Sequence, residues 1–390
     1  MPPYVPGSQT STLVQCEGGF TSEDTTKQTF PSENEPTTST AAASATNKTI
    51  VHPMIKPIPK GFSISDWIEE TFKFATPLIW VNIIAISLYH IVAVVMFIFF
   101  WLDGKILTIL FGFVVGTMGG FGVTAGVHRH WCHKAYKAKL PLKIILMICY
   151  SVAGQNTIFD WVRDHRVHHK FSETDADPHN SNRGFFFSHV GWLMMRKHPE
   201  VLKRGRTVDM TDILEDPIVQ FHQKYFLLMK LTFCFILPTL IPVYCWNETW
   251  MSAIASQPVV RYIINLNCTW LVNSLAHISG SKPYDKKISP VENKTVAFLA
   301  MGEGWHNYHH AFPWDYKAAE LGDYSLNLTT FWIDQFAKIG WAYDLKEPSR
   351  DLVRKVVEAS GDGSHPEFGH EEIPEIQNDL NNTEDKEKQL

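Results

Sequence analysis

PLIWVNIIAISLYHIVAVVMFIFFW, residues 77–101, contains no Asp, Glu, Lys or Arg, and its reading decides which solvent this chain folds in. A helix of that length crosses about 30 Å of hydrocarbon, and a soluble core has no use for so long an uncharged run. Residues 106–127 are likewise uncharged, and only 102–105 separate the two. The pair therefore predicts a membrane hairpin joined by a tight turn. A second pair is less clean. Phe226–Trp246 carries Lys230 near one end, where a long side chain can reach the interface, and 259–276 carries Arg261. The expectation is an all-α integral membrane protein with four transmembrane helices.

Positive charge sets the orientation. The turn 102–105 and the loop 247–258 hold Lys105 as their one cation, whereas 128–224 carries 15 Lys and Arg against 10 Asp and Glu. Positive-inside places that basic segment in the cytosol as a helical cap. With four spans both termini join it there, and so do all the histidine clusters described next.

Nine of the 18 histidines fall into four groups: His128 and His133; His165, His168 and His169; His277; and His306, His309 and His310. In DHRVHH and EGWHNYHH the first histidine stands three and four residues before a His pair, so on a helix its ring shares a face with both partners. Two such faces can clamp two metal ions. His128 and His133 are five apart, about 140° around an α-helix, which suggests a segment straddling a helix end rather than a stripe. A zinc site is filled by three or four ligands, so nine imidazoles suit two ions of higher coordination number. Irons held near one another can take up O₂ and oxidise a C–H bond. Soluble di-iron bundles use Glu and Glu-x-x-His instead, and no matching carboxylate pair stands beside these histidines.

The ends of the chain are different in kind. Residues 1–50 are rich in Ser, Thr, Asn and Glu, and 361–390 are acidic; both read as disordered tails around a membrane domain at 51–360. There is no cleavable leader pattern at the N-terminus. The cysteines, Cys16, Cys132, Cys149, Cys234, Cys245 and Cys268, show no regular spacing and read as free thiols. Gly112, Gly116, Gly119 and Gly120 either leave room for a ligand in the second span or let helices approach closely; the sequence leaves both open.

HRHWCH, DHRVHHKFSETDADPHNSNRGFFFSHVGW, WLVNSLAHISGSKPYD and GEGWHNYHHAFPWDY together resemble the membrane acyl-CoA desaturases of the animal stearoyl-CoA (Delta-9) type, over roughly residues 50–365. The resemblance implies four transmembrane helices under a cytosolic cap, with two Fe²⁺ held by His128, His133, His165, His168, His169, His277, His306, His309 and His310, and Asn273 acting through water. It implies a saturated fatty acyl-CoA substrate such as stearoyl- or palmitoyl-CoA, its head group met by Asn82, Asn156, Arg163, Asp164, Arg196, Lys197 and Trp270. Cationic Arg and Lys suit the phosphates of CoA. It further implies O₂ as oxidant, cytochrome b5 as electron donor, insertion of a cis double bond at carbon 9, and residence in the endoplasmic reticulum membrane. No catalytic residue beyond the metal ligands and no nucleic-acid partner is expected. His130 stands where that family commonly has Leu, Cys132 where it has Ser, and Lys282 where it has Arg; none of the three is among the nine histidines. A desaturase of other regioselectivity, a membrane di-iron hydroxylase and a non-enzymatic metal-binding membrane protein are the alternatives. The hydroxylase is disfavoured by His277 and the CoA-contact residues. The metal-binding protein would need ionisable residues through its spans, which offer almost none.

Overall fold

The computed structural model describes residues 74–320 and 323–369. The first uncharged run is a helix, α1 (Trp80–Asp103). Its apolar side chains point outward: Val81, Ile84, Leu88, Ile91, Val94 and Ile98 are all exposed. In water such a surface would be a severe cost; in lipid it is the solvated face, while the helix satisfies its own backbone groups. Gly104 and Lys105 make the turn, and α2 (Ile106–Cys132) follows. Its last part, Gly122–Cys132, is wound as a π-helix.

The basic segment after α2 is mostly helical. α3 (Leu140–Ala153) starts on Pro141 and ends on Gly154, whose left-handed backbone (φ 64°) stops the helix. α4 (Ile158–Phe171) is capped by the Thr157 side chain, which accepts from the Asp160 N–H. α3 buries Leu142, Leu146 and Tyr150 in the main core, together with Val123, Val127 and Trp131 of α2, Ile158 and Val162 of α4, and Ile333. α5 (Phe226–Trp246) is the next apolar helix. Residues 250–278 then form α6, composed of Trp250–Ile254, a π-wound stretch Ala255–Arg261, and Tyr262–Ile278.

The two turns expected on the far side of the membrane from the histidines meet at one end of the bundle. Lys105 Nζ donates to the Trp246 and Asn247 carbonyls, and the Glu248 carboxylate accepts from the Lys105 N–H and the Thr108 hydroxyl. His128 sits at the opposite end of α2.

Among the described residues α1, α2 and α5 are long and apolar enough to cross a membrane, and α3 with α4, bent by 85°, would make a fourth only if counted as one broken span. The expected fourth span, 259–276, lies in α6, which is long enough but carries Arg261, Asn265, Asn267 and Asn273. Several of its polar groups bond to the bundle: Arg261 donates to the Cys234 and Val152 carbonyls, Asn265 to the Gly116 carbonyl, and Gln257 to the Thr108 carbonyl. A helix whose polar face is satisfied by its neighbours need not be uniformly apolar.

The expected C-terminal boundary falls inside ordered structure. Residues 361–369 are described, and His365 is buried, its Nε2 3.0 Å from Glu320 Oε2 and its ring stacked on Phe368. Residues 1–73 and 370–390, which include the expected tails, lie outside the described residues. A two-stranded antiparallel ribbon, β1 (Lys137–Ala138) with β2 (Ala342–Tyr343), ties the chain after α2 to its C-terminal part. α7 (His306–Ala311), α8 (Leu328–Lys338) and α9 (Arg350–Ser360) follow.

Candidate metal centre

All nine clustered histidines come together, but not one box to one ion. His128, His133, His165, His169 and His309 form one group, and His168, His277, His306 and His310 another, each with its potential ligand nitrogens within 4.8 Å of one another. Residues four apart, His165 with His169 on α4 and His306 with His310 on α7, stay together. The remaining member of each triplet, His168 or His309, crosses to the other group. On a helix His168 and His169 are about 100° apart, enough to aim neighbouring rings at different centres. The groups adjoin where the His169 and His310 rings stack, 4.1 Å between centroids.

His128 and His133 join one group because of the π winding. The His133 N–H donates to the His128 carbonyl, five residues back, at 3.1 Å, and the two ring centroids are 4.8 Å apart. An α-helix would have pointed them about 140° apart; π segments commonly mark functional positions.

The spacing of the nitrogens tests whether metal fits. In the first group His128 Nε2 lies 3.0 Å from His309 Nε2, His309 Nε2 3.1 Å from His169 Nε2, and His165 Nε2 3.1 Å from His133 Nε2. In the second, His306 Nε2 lies 3.1 Å from His277 Nε2 and 3.2 Å from His310 Nε2. Imidazole nitrogens about 2.1 Å from one ion stand about 3.0 Å apart at right angles and about 3.4 Å apart at the tetrahedral angle. These separations fit imidazoles that share a cation within each group.

Three carboxylates stand against the Nδ1 atoms of three imidazoles. His128 Nδ1 is 2.8 Å from Glu303 Oε2, His168 Nδ1 is 3.0 Å from Asp177, and His277 Nδ1 is 2.8 Å from Glu173 Oε1. A proton held on Nδ1 leaves the Nε2 lone pair free to bind, and such outer carboxylates orient metal-binding imidazoles. Glu303 also receives the Arg129 guanidinium at 2.9–3.0 Å, and Arg129, only 1% exposed, donates further to the Tyr316 carbonyl and to Thr330. Burial would raise the Glu303 carboxyl, but the Arg129 guanidinium and then the His128 imidazole outweigh it and hold it below the usual carboxylate range. Asp177 is likewise held down against burial, by His168 and His179. Burial, then the neighbouring imidazoles, keeps His306, His309 and His310 well below the ordinary histidine value, so all three are neutral and able to bind a cation.

None of the three carboxylates was singled out in the sequence. Glu173 and Asp177 stand just after DHRVHH, and Glu303 three residues before His306, but acids beside a metal motif are too common to be distinctive. His179, outside the nine clustered histidines, packs against the second group with its ring centroid 4.3 Å from that of His168. His130 faces elsewhere: its Nδ1 is 3.1 Å from the Tyr136 carbonyl and it belongs to neither group. Asn273 is half-buried on α6, one turn before His277.

The residues expected to meet CoA gather only in part. Residues 77–79 pair with 194–196 through Ile79 N–H to the Met194 carbonyl and Arg196 N–H to the Pro77 carbonyl, and Asn82 donates to the Leu193 carbonyl. Lys197 pairs with Asp164, which also holds Arg163 at 3.0 Å. Arg196 and Lys197 line a cavity of about 200 Å³ whose wall includes Asp177, the carboxylate on His168. Asn156 is exposed at the start of α4. Trp270 lies deeper, stacked on His90 with 6.1 Å between centroids.

A larger cavity of about 420 Å³ runs inside the bundle from Glu303 and Thr124 to Thr108 and Gln257, walled largely by α2 and α6. Its lining is mostly apolar, and at Glu303 it reaches the carboxylate beside His128.

Residues 104–324 match the family model described as fatty acid desaturase. The chain is 55% identical to an acyl-CoA Delta-9 desaturase of Acheta domesticus over 75% of its own length and 81% of that protein. It is 52% identical to an acyl-CoA Delta(11) desaturase of Spodoptera littoralis, covering 81% and 93% of the two chains. Its identity to an acyl-CoA Delta12-desaturase of Acheta domesticus is 49%, covering 77% and 84%. With its two adjoining histidine groups, its apolar helices and this match over more than half its length, the chain belongs to the fatty acid desaturase family.

Proposed function

We propose that the protein is an acyl-CoA desaturase that uses O₂ to insert a cis double bond, at carbon 9, into a saturated fatty acyl-CoA for unsaturated fatty acid synthesis. The observation that carries this reading is the pair of all-imidazole groups together with a 420 Å³ cavity that reaches Glu303, the carboxylate beside His128. The first group would hold one iron and the second the other, with Asn273 linked through water; the irons supply O₂ activation. O₂, two electrons from cytochrome b5 and two protons, with two hydrogens from the acyl chain, yield two waters and one double bond. The chain's own residues do the positioning. Glu303, Asp177 and Glu173 orient three of the imidazoles, and the cavity walls hold the acyl chain away from water. Asn82, Asn156, Arg163, Asp164, Arg196, Lys197 and Trp270 would grip the CoA end.

Expression in desaturase-deficient yeast followed by lipid analysis tests the reaction and its position together. A double bond at carbon 9 is expected; products unsaturated only at carbon 11 or 12, as in the names of two of the relatives, would move the assignment, and no unsaturated product would reject it. In the same strain Arg196→Glu with Lys197→Glu should raise the apparent KM for acyl-CoA about tenfold or more while iron stays bound, because negative charge then faces the CoA phosphates. A normal KM would remove these two residues from the head-group site.

In the endoplasmic reticulum membrane both termini should face the cytosol, since the histidine groups lie at one end of the bundle and positive charge accumulates with them. Tags at the two ends of the chain should be cut by protease added to sealed microsomes, and an epitope in 247–258 should be protected. Protection of one terminal tag alone would mean an odd number of spans and would count against 259–276 as a crossing.

A further inference from the structure

We propose that the C-terminal segment 361–369 is a strap that holds α7 in place at the metal centre, with His365 as its positioning residue. This rests on the metal-centre reading above. α7 is six residues long, too short to keep its conformation in isolation, yet it supplies His306 and His310 to one group and His309 to the other. Its geometry is set by whatever packs behind it.

At about 100° per residue His306, His309 and His310 share one face of α7, while Tyr308 points the opposite way and Asn307 stands at the flank. Behind that face lies a small core separate from the main one: Tyr308, Phe312 and Tyr284 with Val353 and Val357 of α9, and Phe368 packed against them. The Tyr284 and Tyr308 rings meet edge to face, 5.0 Å between centroids. Asn307, 0% exposed, accepts from the Tyr284 and Asp285 N–H groups at 2.8 and 3.1 Å and donates to the Asp285 and Pro290 carbonyls. Residues 284–290 thus grip the back of α7, and what fixes them fixes the histidines.

The strap is fastened to that segment at two points. At the first, the Asp362 N–H donates to the Lys282 carbonyl at 3.1 Å and the Lys282 N–H to the Asp362 carboxylate at 2.6 Å. At the second, the buried His365 ring accepts at Nδ1 from the Glu367 and Phe368 N–H groups at 3.1 and 2.9 Å. With Nδ1 an acceptor, the neutral ring carries its proton on Nε2 and donates to Glu320 Oε2, 3.0 Å away. The Tyr284 hydroxyl donates to the same oxygen at 2.9 Å, and the Tyr284 and His365 rings meet edge to face at 5.5 Å. His365 therefore closes the strap's own turn with one nitrogen and pins Tyr284 with the other, through Glu320. Direct contacts run from His365 to Tyr284, to Tyr308 and so to α7.

Loss of the strap should weigh unevenly on the two groups, because α7 gives two of the four histidines in the second and one of the five in the first. The test measures metal per chain, the rate of metal loss to a chelator and the unfolding midpoint on purified, monodisperse protein. The wild type and a chain ending after Gly369 should hold two ions. His365→Ala, and a chain ending after Ser364, should fall toward one, with chelator stripping about tenfold faster, the low end of what loss of an outer support costs a metal site. His365→Gln keeps a donor for Glu320 and should recover most of the second ion. A strap that only adds stability would lower the unfolding midpoint and leave two ions on every folded chain; that result in both His365→Ala and the shorter chain would overturn the proposal. Should the shorter chain not fold, His365→Ala and Phe368→Ala decide by the same measurement. A wild type that binds no metal would instead overturn the metal-centre reading, and this inference with it.

Discussion

His309→Ala is expected to reduce desaturation to the background of membranes lacking the protein, and to lower the metal content of the purified chain below two ions. His309 bridges the first group, with its Nε2 3.0 Å from that of His128 and 3.1 Å from that of His169. It is also the residue that α7 contributes across to that group while His306 and His310 stay in the second. Its loss removes one coordination position and leaves a buried cavity lined by nitrogen lone pairs. His130→Ala is the matched control. It removes a histidine two residues from His128 that belongs to neither group and should leave most of the activity. Full activity in His309→Ala would remove the basis of the metal assignment. A single tightly bound ion in the unmodified chain would argue for a zinc-type site instead.

Glu303→Gln should damage both stability and metal binding, by two separable routes. The carboxylate is shared between Arg129, which is 1% exposed, and His128 Nδ1. Removing one partner of a buried pair leaves the other charge uncompensated, at a cost of about 3–5 kcal/mol. Loss of an outer carboxylate from a metal-binding imidazole typically weakens metal affinity about 10- to 100-fold. Thermal unfolding and metal analysis of the purified variant read the two effects. Adding Arg129→Met should restore much of the stability, because the stranded charge is gone, but not the metal affinity, because His128 still lacks its partner. If Glu303→Gln left both the unfolding midpoint and the metal content unchanged, the coupling of Arg129 to the metal centre through Glu303 would be wrong.

The sequence by itself determined the membrane character of α1, α2 and α5, because a long apolar run with almost no charge is a local property that no packing can reverse. It also identified all nine histidines that converge, since histidine is uncommon and its helical spacing is visible without a fold. It could not assign them to two groups. That division turns on the 100° between consecutive residues of α4 and α7 and on what faces each helix, so HxxHH boxes that look like one clamp each are shared between centres. Nor could it show His128 beside His133, because nothing in HRHWCH announces a π winding.

Glu173, Asp177 and Glu303 were illegible for a related reason. Glu173 and His277, whose side chains meet at 2.8 Å, are 104 residues apart in the chain, and acids are too frequent for proximity to a motif to mark them. The glycines of α2 were open to two readings, and the opposing atoms show close approach: backbone of Ala153 and Tyr150 against Gly119 and Gly122, and the side chains of Gln257, Asn265 and Met301 against Gly112, Gly116 and Gly120. Apolar runs and rare ligands are properties of the chain itself. Partition among centres, the pairing of carboxylate with imidazole and the approach of helices arise between segments, and so only the tertiary structure decided them.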